Sequence, residues 1–218
     1  MTSIESAGEA SPWAARFGWS VVAFVLAYVV GVSIALVIQA YGGWTNGLAW
    51  ERAVLLGIDH TLPWLIDYAM LALPWLGTNL TVMPVIVVMS IWLGRWRRRW
   101  DLAAQLLVVV TGSLLLNAAM KEMLNRPRPA FWQHRGQYAF ASYPSGHAIV
   151  SVAVYFTAAY LLQREKGWRW PYVVAAFQLA ISVFSRHYLG VHWPTDVLGG
   201  VLIGIAWLAG TMYAFRRR

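Results

Sequence analysis

Residues 19–39 read WSVVAFVLAYVVGVSIALVIQ, an apolar run with no Asp, Glu, Lys or Arg. Each helical residue rises about 1.5 Å and a bilayer core is about 30 Å thick, so about 20 such residues cross it. Five more apolar runs follow: Asn79 to Gly94, Leu102 to Met120, His147 to Gln163, Pro171 to Ser185 and Val197 to Phe215. The expected fold is all-α, a polytopic membrane bundle of six transmembrane helices in a single domain, residues 1–218. The polar stretch Met1 to Trp13 holds Glu5 and Glu9 and lacks the basic region of a cleaved signal peptide, so the first run is expected to stay as an anchor.

Composition agrees. Hydrophobic residues make up 59% of the 218 and charged residues only 12%, and the mean hydropathy is +0.53. A soluble domain carries about 25% charged residues, so this surface needs lipid around it. The 14 Trp suit the membrane–water boundary. The net charge of +8 does not read as nucleic-acid binding, because the arginines sit in short loops rather than on one continuous face. With no cysteine, disulfides, zinc–thiolate sites and thiol nucleophiles are excluded.

The stretch Trp44 to Gly77 is apolar but broken by Glu51, Arg52, Asp59, His60, Pro63, Asp67 and Pro74. It reads as one or two short amphipathic helices on the membrane surface; a seventh span is the competing reading. Three basic segments, Arg95 to Trp100, Arg164 to Arg169 and Arg216 to Arg218, fall on one side of a six-span chain. Positive-inside topology makes that side, and both termini, cytoplasmic in a cell membrane. The segments Tyr41 to Thr78, Lys121 to Gly146 and His187 to Asp196 then lie outside. Lys121, Arg126, Arg128 and Arg135 break the charge rule there, which marks a place to look for function. Gly200 and Gly204 form a small-xxx-small pair, read as close packing within the bundle.

Three polar clusters interrupt the apolar chain, all on the outer side: Lys121 to Pro129, Pro144 to His147, and Ser185 to Asp196. Ionisable groups beside membrane helices are costly and point to function. Lys121, Arg128 and Arg186 supply three cations suited to phosphate oxygens. Ser145 and Gly146 precede a helix start, where backbone N–H groups favour an anion and Ser145 can cap. His147 and His192 are imidazoles able to act as nucleophile or general acid near neutral pH. Asp196 lies four residues after His192. Helical geometry would put both on one face, though Pro194 allows a turn instead. A metal site is disfavoured: the three clusters hold only Glu122 and Asp196 as carboxylates, and three cations oppose zinc at His147 and His192. No cofactor is expected.

These clusters resemble the type 2 phosphatidic acid phosphatase (PAP2) and vanadium haloperoxidase superfamily. Its pattern is K-x6-R-P, then P-S-G-H, then S-R-x5-H-x3-D. Lys121, Arg128 and Pro129 match the first motif, Pro144, Ser145, Gly146 and His147 the second, and Ser185, Arg186, His192 and Asp196 the third. The resemblance implies a phosphohistidine mechanism. His192 would be the nucleophile, Asp196 would orient it, and His147 would protonate the leaving group and then activate water. Lys121, Arg128, Ser145, Gly146 and Arg186 would hold the phosphate.

The leading expectation is a metal-independent membrane phosphatase acting on a lipid phosphate: undecaprenyl diphosphate, phosphatidylglycerophosphate or phosphatidate. A lipid phosphotransferase with the same site is the alternative within the architecture, and a vanadate haloperoxidase suits the composition less well. A transporter or lipid-binding scaffold is the non-enzymatic alternative. Partners are the lipid phosphate and membrane lipids, and the oligomeric state is open. His187, His134, Arg135 and His60 match no fixed position. His134 and Arg135 are expected to face solvent or headgroups, and Arg126 to shape the entrance or meet a second phosphate.

Overall fold

The computed structural model describes residues 12–58, 63–73, 75, 79–134 and 141–216, with the backbone alone at 79 and 80. Asp59, His60, Pro74, Gly77, Arg135 and the chain ends, Arg217 and Arg218 included, lie outside them. Every regular element among the described residues is helical. In chain order these are α1 (Pro12–Ala40), α2 (Ala49–Leu56), α3 (Trp64–Ala72), α4 (Asn79–Ile91), α5 (Trp100–Leu124), α6 (Gly146–Val150), α7 (Phe156–Lys166), α8 (Trp170–Tyr188) and α9 (Pro194–Arg216). A π-turn, Trp92–Trp96, extends α4, and another, Ser151–Tyr155, joins α6 and α7 into one rod.

Each of the six expected runs forms a helix. Four of them are long and apolar enough to cross a bilayer: Pro12–Ala40, Trp100–Leu124, Gly146–Lys166 and Pro194–Arg216. The apolar part of α4 with its π-turn, Thr81–Trp96, is shorter. Helix α8 has the length, but its buried face carries Gln178, Ser182, Ser185 and Arg186. Among the described residues, the stretch after Trp44 holds two short helices. At 8 and 9 residues, α2 and α3 are too short to be a seventh span.

Helix α1 buries mostly small residues and exposes its large apolar ones, the reverse of a helix on a soluble core. In α1 the buried positions are Ser20, Ala23, Ala27, Gly31, Ala35 and Ile38, while Val25, Leu26, Val29 and Leu36 are exposed. Lipid is the solvent such a surface requires, and small residues let helix axes approach closely. Helix α9 runs at the centre, against α1, α5 and the α6–α7 rod. Its Gly200 lies on the Ser145 carbonyl and Gly204 on Val152, so the small-xxx-small pair packs within the bundle.

Charge separates to the two ends. Arg97 and Arg99 both pair with Glu165, at 3.0 and 2.7 Å, which joins the loop after α4 to the last turn of α7. Lys166 stacks on Trp92, and Arg16 on Phe215. The three motif clusters gather at the opposite end. Between these ends, Gly112 of α5 faces Trp207 of α9, and a Cβ there would fall 2.1 Å from the buried indole. We expect Gly112→Leu to cost about 1–3 kcal/mol through overpacking. Thermal unfolding in detergent checks it, and a melting temperature equal to wild type would contradict this packing.

Candidate active site

Helix α5 carries Lys121 in its last turn and stops at Asn125, whose φ of 42° and ψ of 47° are left-handed. Asparagine tolerates that conformation better than most side chains. Pro127 and Pro129 follow and keep the helix from resuming. The chain returns beneath itself, with Ser142 N–H donating to Arg126 O at 2.8 Å and Ser145 N–H to Asp196 O at 3.0 Å. These bonds hold the second motif against the first turn of α9. The Tyr143 hydroxyl donates to Gly31 O of α1 at 2.7 Å, and its ring lies over Gly199. Gly146 fits against the Asn117 side chain of α5, where a Cβ would lie 2.9 Å from Oδ1.

The third motif comes from the end of α8 and the start of α9. Arg186 is buried in the last turn of α8. His192 precedes α9, is 4% exposed, and meets Asp196 through a turn rather than along a helix face. Its Nδ1 lies 3.6 Å from Asp196 Oδ2 and 3.4 Å from Ser142 Oγ, and Ser142 Oγ donates to that same carboxylate oxygen. Its Nε2 lies 3.4 Å from Arg128 Nη1. A guanidinium only donates, so Nε2 is the acceptor nitrogen and the ring proton belongs on Nδ1, toward the carboxylate.

The expected groups therefore converge. Burial first, then the charges of Arg128, Lys121, Arg186 and His147, push the His192 imidazole well below its usual range. Lys121 Nζ donates to the carbonyls of Ala141 and Ser142. Arg128 donates to Val191 O at 2.5 Å and to Ala141 O at 3.4 Å. These contacts are to backbone carbonyls. Ser145 is the residue before α6, but its hydroxyl makes no capping bond. Its Oγ is buried with no partner, which suits a phosphate oxygen better than the cap expected from sequence.

Other expectations are corrected. Arg126 does not shape an entrance: its side chain is 0% exposed and pairs with Asp196 at 2.7 Å and Glu51 at 3.2 Å. Glu51 itself, on the supposed surface helix α2, is fully buried behind the site. His134 is half-buried, with Nε2 3.1 Å from Gly190 O, and Trp132 packs on the same glycine. The Nε2 of His187 is buried without a hydrogen-bond partner. Ser142 belongs to none of the three motifs, and no spacing rule in the sequence marks it.

The family model for the PAP2 superfamily matches residues 102–218. Phosphatidylglycerophosphatase B of Bacillus subtilis is 36% identical over 148 residues, covering 66% of this chain and 71% of that one. An undecaprenyl-diphosphatase of the same bacterium is 26% identical over 166 residues, covering 73% of this chain and 75% of that one. The crystal structure of a transmembrane PAP2-type phosphatidylglycerolphosphate phosphatase from Bacillus subtilis superposes with a TM-score of 0.69. It is 28% identical and covers 91% of this chain and 97% of that one.

The geometry makes a titration testable. In a histidine-labelled sample in detergent, the NMR signal missing from His192→Gln identifies His192. We expect its protonation midpoint well below 6.5, the ordinary value. A midpoint at or above that value would mean that burial and the surrounding cations do not act on this ring.

Proposed function

The chain belongs to the PAP2 superfamily, and from that premise we propose that it hydrolyses the phosphate or diphosphate of a membrane lipid through a phosphohistidine at His192. One observation carries the reading. The two ring nitrogens of His192 face opposite partners, Nδ1 toward Asp196 and Nε2 toward Arg128, as a nucleophile oriented by a carboxylate requires.

In the proposed sequence Lys121, Arg128 and Arg186 bind the phosphoryl oxygens, with the Ser145 hydroxyl and the Gly146 N–H at the helix start. Neutral His192 attacks phosphorus with Nε2. The N–P bond forms as the bond to the lipid oxygen breaks, and Asp196 stabilises the positive charge on the ring. His147 gives its proton to the departing lipid oxygen. The same imidazole then takes a proton from water, which attacks phosphorus and releases inorganic phosphate and free His192. The cations neutralise charge that develops on the phosphoryl oxygens, the term that dominates such reactions.

The layout supports a lipid substrate. Helix ends that carry the site stand beside exposed apolar faces, so a headgroup can reach the cations while its chains stay in the bilayer. We read α4 and α8 as two further spans, completing six, with α2 and α3 at the outer interface. The end that holds Arg97, Arg99 and Lys166 is then cytoplasmic with both termini, and the site is extracytoplasmic, in a single domain. The relatives' names make phosphatidylglycerophosphate and undecaprenyl diphosphate the first substrates to try, with phosphatidate beside them.

Purified protein in detergent is expected to release phosphate from at least one of these lipids with a chelator present. His192→Ala should abolish release and the acid-labile phosphoenzyme formed from labelled substrate. Asp196→Asn should lower turnover about a hundredfold or more. Wild-type turnover in His192→Ala would remove the assigned nucleophile, and lipid product carrying the phosphate on an added acceptor would make the enzyme a transferase.

A further inference from the structure

Arginine carries five N–H donors in a rigid planar fork. Arg126 has an acceptor for each. Nη1 donates to Asp196 Oδ1 and Thr195 Oγ1, both at 2.7 Å. Nη2 donates to Gly43 O at 2.6 Å and Glu51 Oε2 at 3.2 Å. Nε donates to Trp44 O at 3.2 Å. The guanidinium also lies over the rings of Trp44 and Trp193, at 5.5 and 5.6 Å. Nothing in this arrangement leaves the fork room to turn.

Glu51 is held as completely. Its Oε1 accepts from Thr195 N–H at 3.1 Å and Thr195 Oγ1 at 2.6 Å, and its Oε2 accepts from Leu48 N–H at 2.7 Å as well as from Arg126. Thr195 stands 144 residues after Glu51 and next to Asp196. The Asp196 carboxylate is thus fixed at both oxygens: Oδ1 by Arg126, and Oδ2 by Ser142 Oγ and Trp193 N–H. Oδ2 is the oxygen that faces His192.

Burying one cation and two carboxylates together is costly, and well-packed apolar residues commonly stabilise a protein as well or better. Stability alone does not account for such a cluster, and its contact with His192 through Asp196 Oδ2 does. We propose that Glu51, Thr195 and Arg126 are positioning residues that set the Asp196 carboxylate toward His192, making the short helix α2 a working part of the site. The inference rests on the reading of His192 as nucleophile.

The test compares Glu51→Gln, Thr195→Val and Thr195→Ser with wild type on whichever lipid phosphate the wild type hydrolyses. A glutamine must turn an NH2 toward donors on one side of the clamp, and a valine removes the bridging hydroxyl with little change of volume. We expect kcat to fall about tenfold in both, with KM within about twofold. Thr195→Ser, which restores the hydroxyl, should recover most of the turnover. Helicity and elution in detergent establish folding, and Thr195→Val gives the readout if Glu51→Gln does not fold. Folded variants within twofold of wild-type kcat, or a lowered melting temperature with turnover per folded molecule unchanged, would overturn the positioning role. Inactive wild type on every lipid phosphate, or a fully active His192→Ala, would instead sink the reading beneath it.

Discussion

A carboxylate shut off from bulk solvent inside an apolar bundle has to be satisfied by fixed partners. Asp196 is 0% exposed, and much of the structure follows from that condition. Arg126, Ser142 and the Trp193 N–H reach it from three directions. Its own carbonyl accepts from Ser145 N–H, so the loop before α6 and the start of α9 are bound to the same residue. Arg126 in turn needs Glu51, and Glu51 draws α2 under the site. A single buried anion thereby connects segments from both halves of the chain.

The bilayer imposes the other constraint. Lipid offers helices no hydrophobic incentive to associate, so association depends on close packing and polar contacts. Small residues bring α1 close to its neighbours, with Gly210 of α9 against Ala23, and Gly31 against Ile203 of α9 and Met120 of α5. Polar bonds cross the bundle at few depths, among them the Trp207 indole to Val109 O at 2.9 Å and the Tyr143 hydroxyl to Gly31 O. On the proposed reading, a closely packed scaffold suits a site whose groups hold a fixed arrangement around one tetrahedral anion.

Two arginines separated by a proline illustrate how the site divides its cations. Arg126 spends its charge on two carboxylates, whereas Arg128 faces Nε2 of His192. On the proposed reading the first shapes the histidine's electrostatic background and the second meets substrate. The left-handed Asn125 and the prolines after it turn the chain so that neighbouring side chains of identical chemistry point to opposite sides of His192.

Read alone, the sequence determined the helical class, the membrane setting and the groups that converge. Those properties are local: apolar run length sets helices in lipid, and motif spacing names cations and imidazoles whatever their final distances. The runs at Trp19 to Gln39 and Val197 to Phe215 reappear inside α1 and α9, and the charges around His192 are those of Arg128, Lys121, Arg186 and His147. The partner of each polar group was decided only in three dimensions. Glu51 looks like an ordinary charge on a surface helix, Arg126 like a spare cation beside Arg128, and Ser142 like a loop serine. Their roles in the site depend on approaches between residues far apart in the chain, and burial turns each of those approaches into a requirement for a partner.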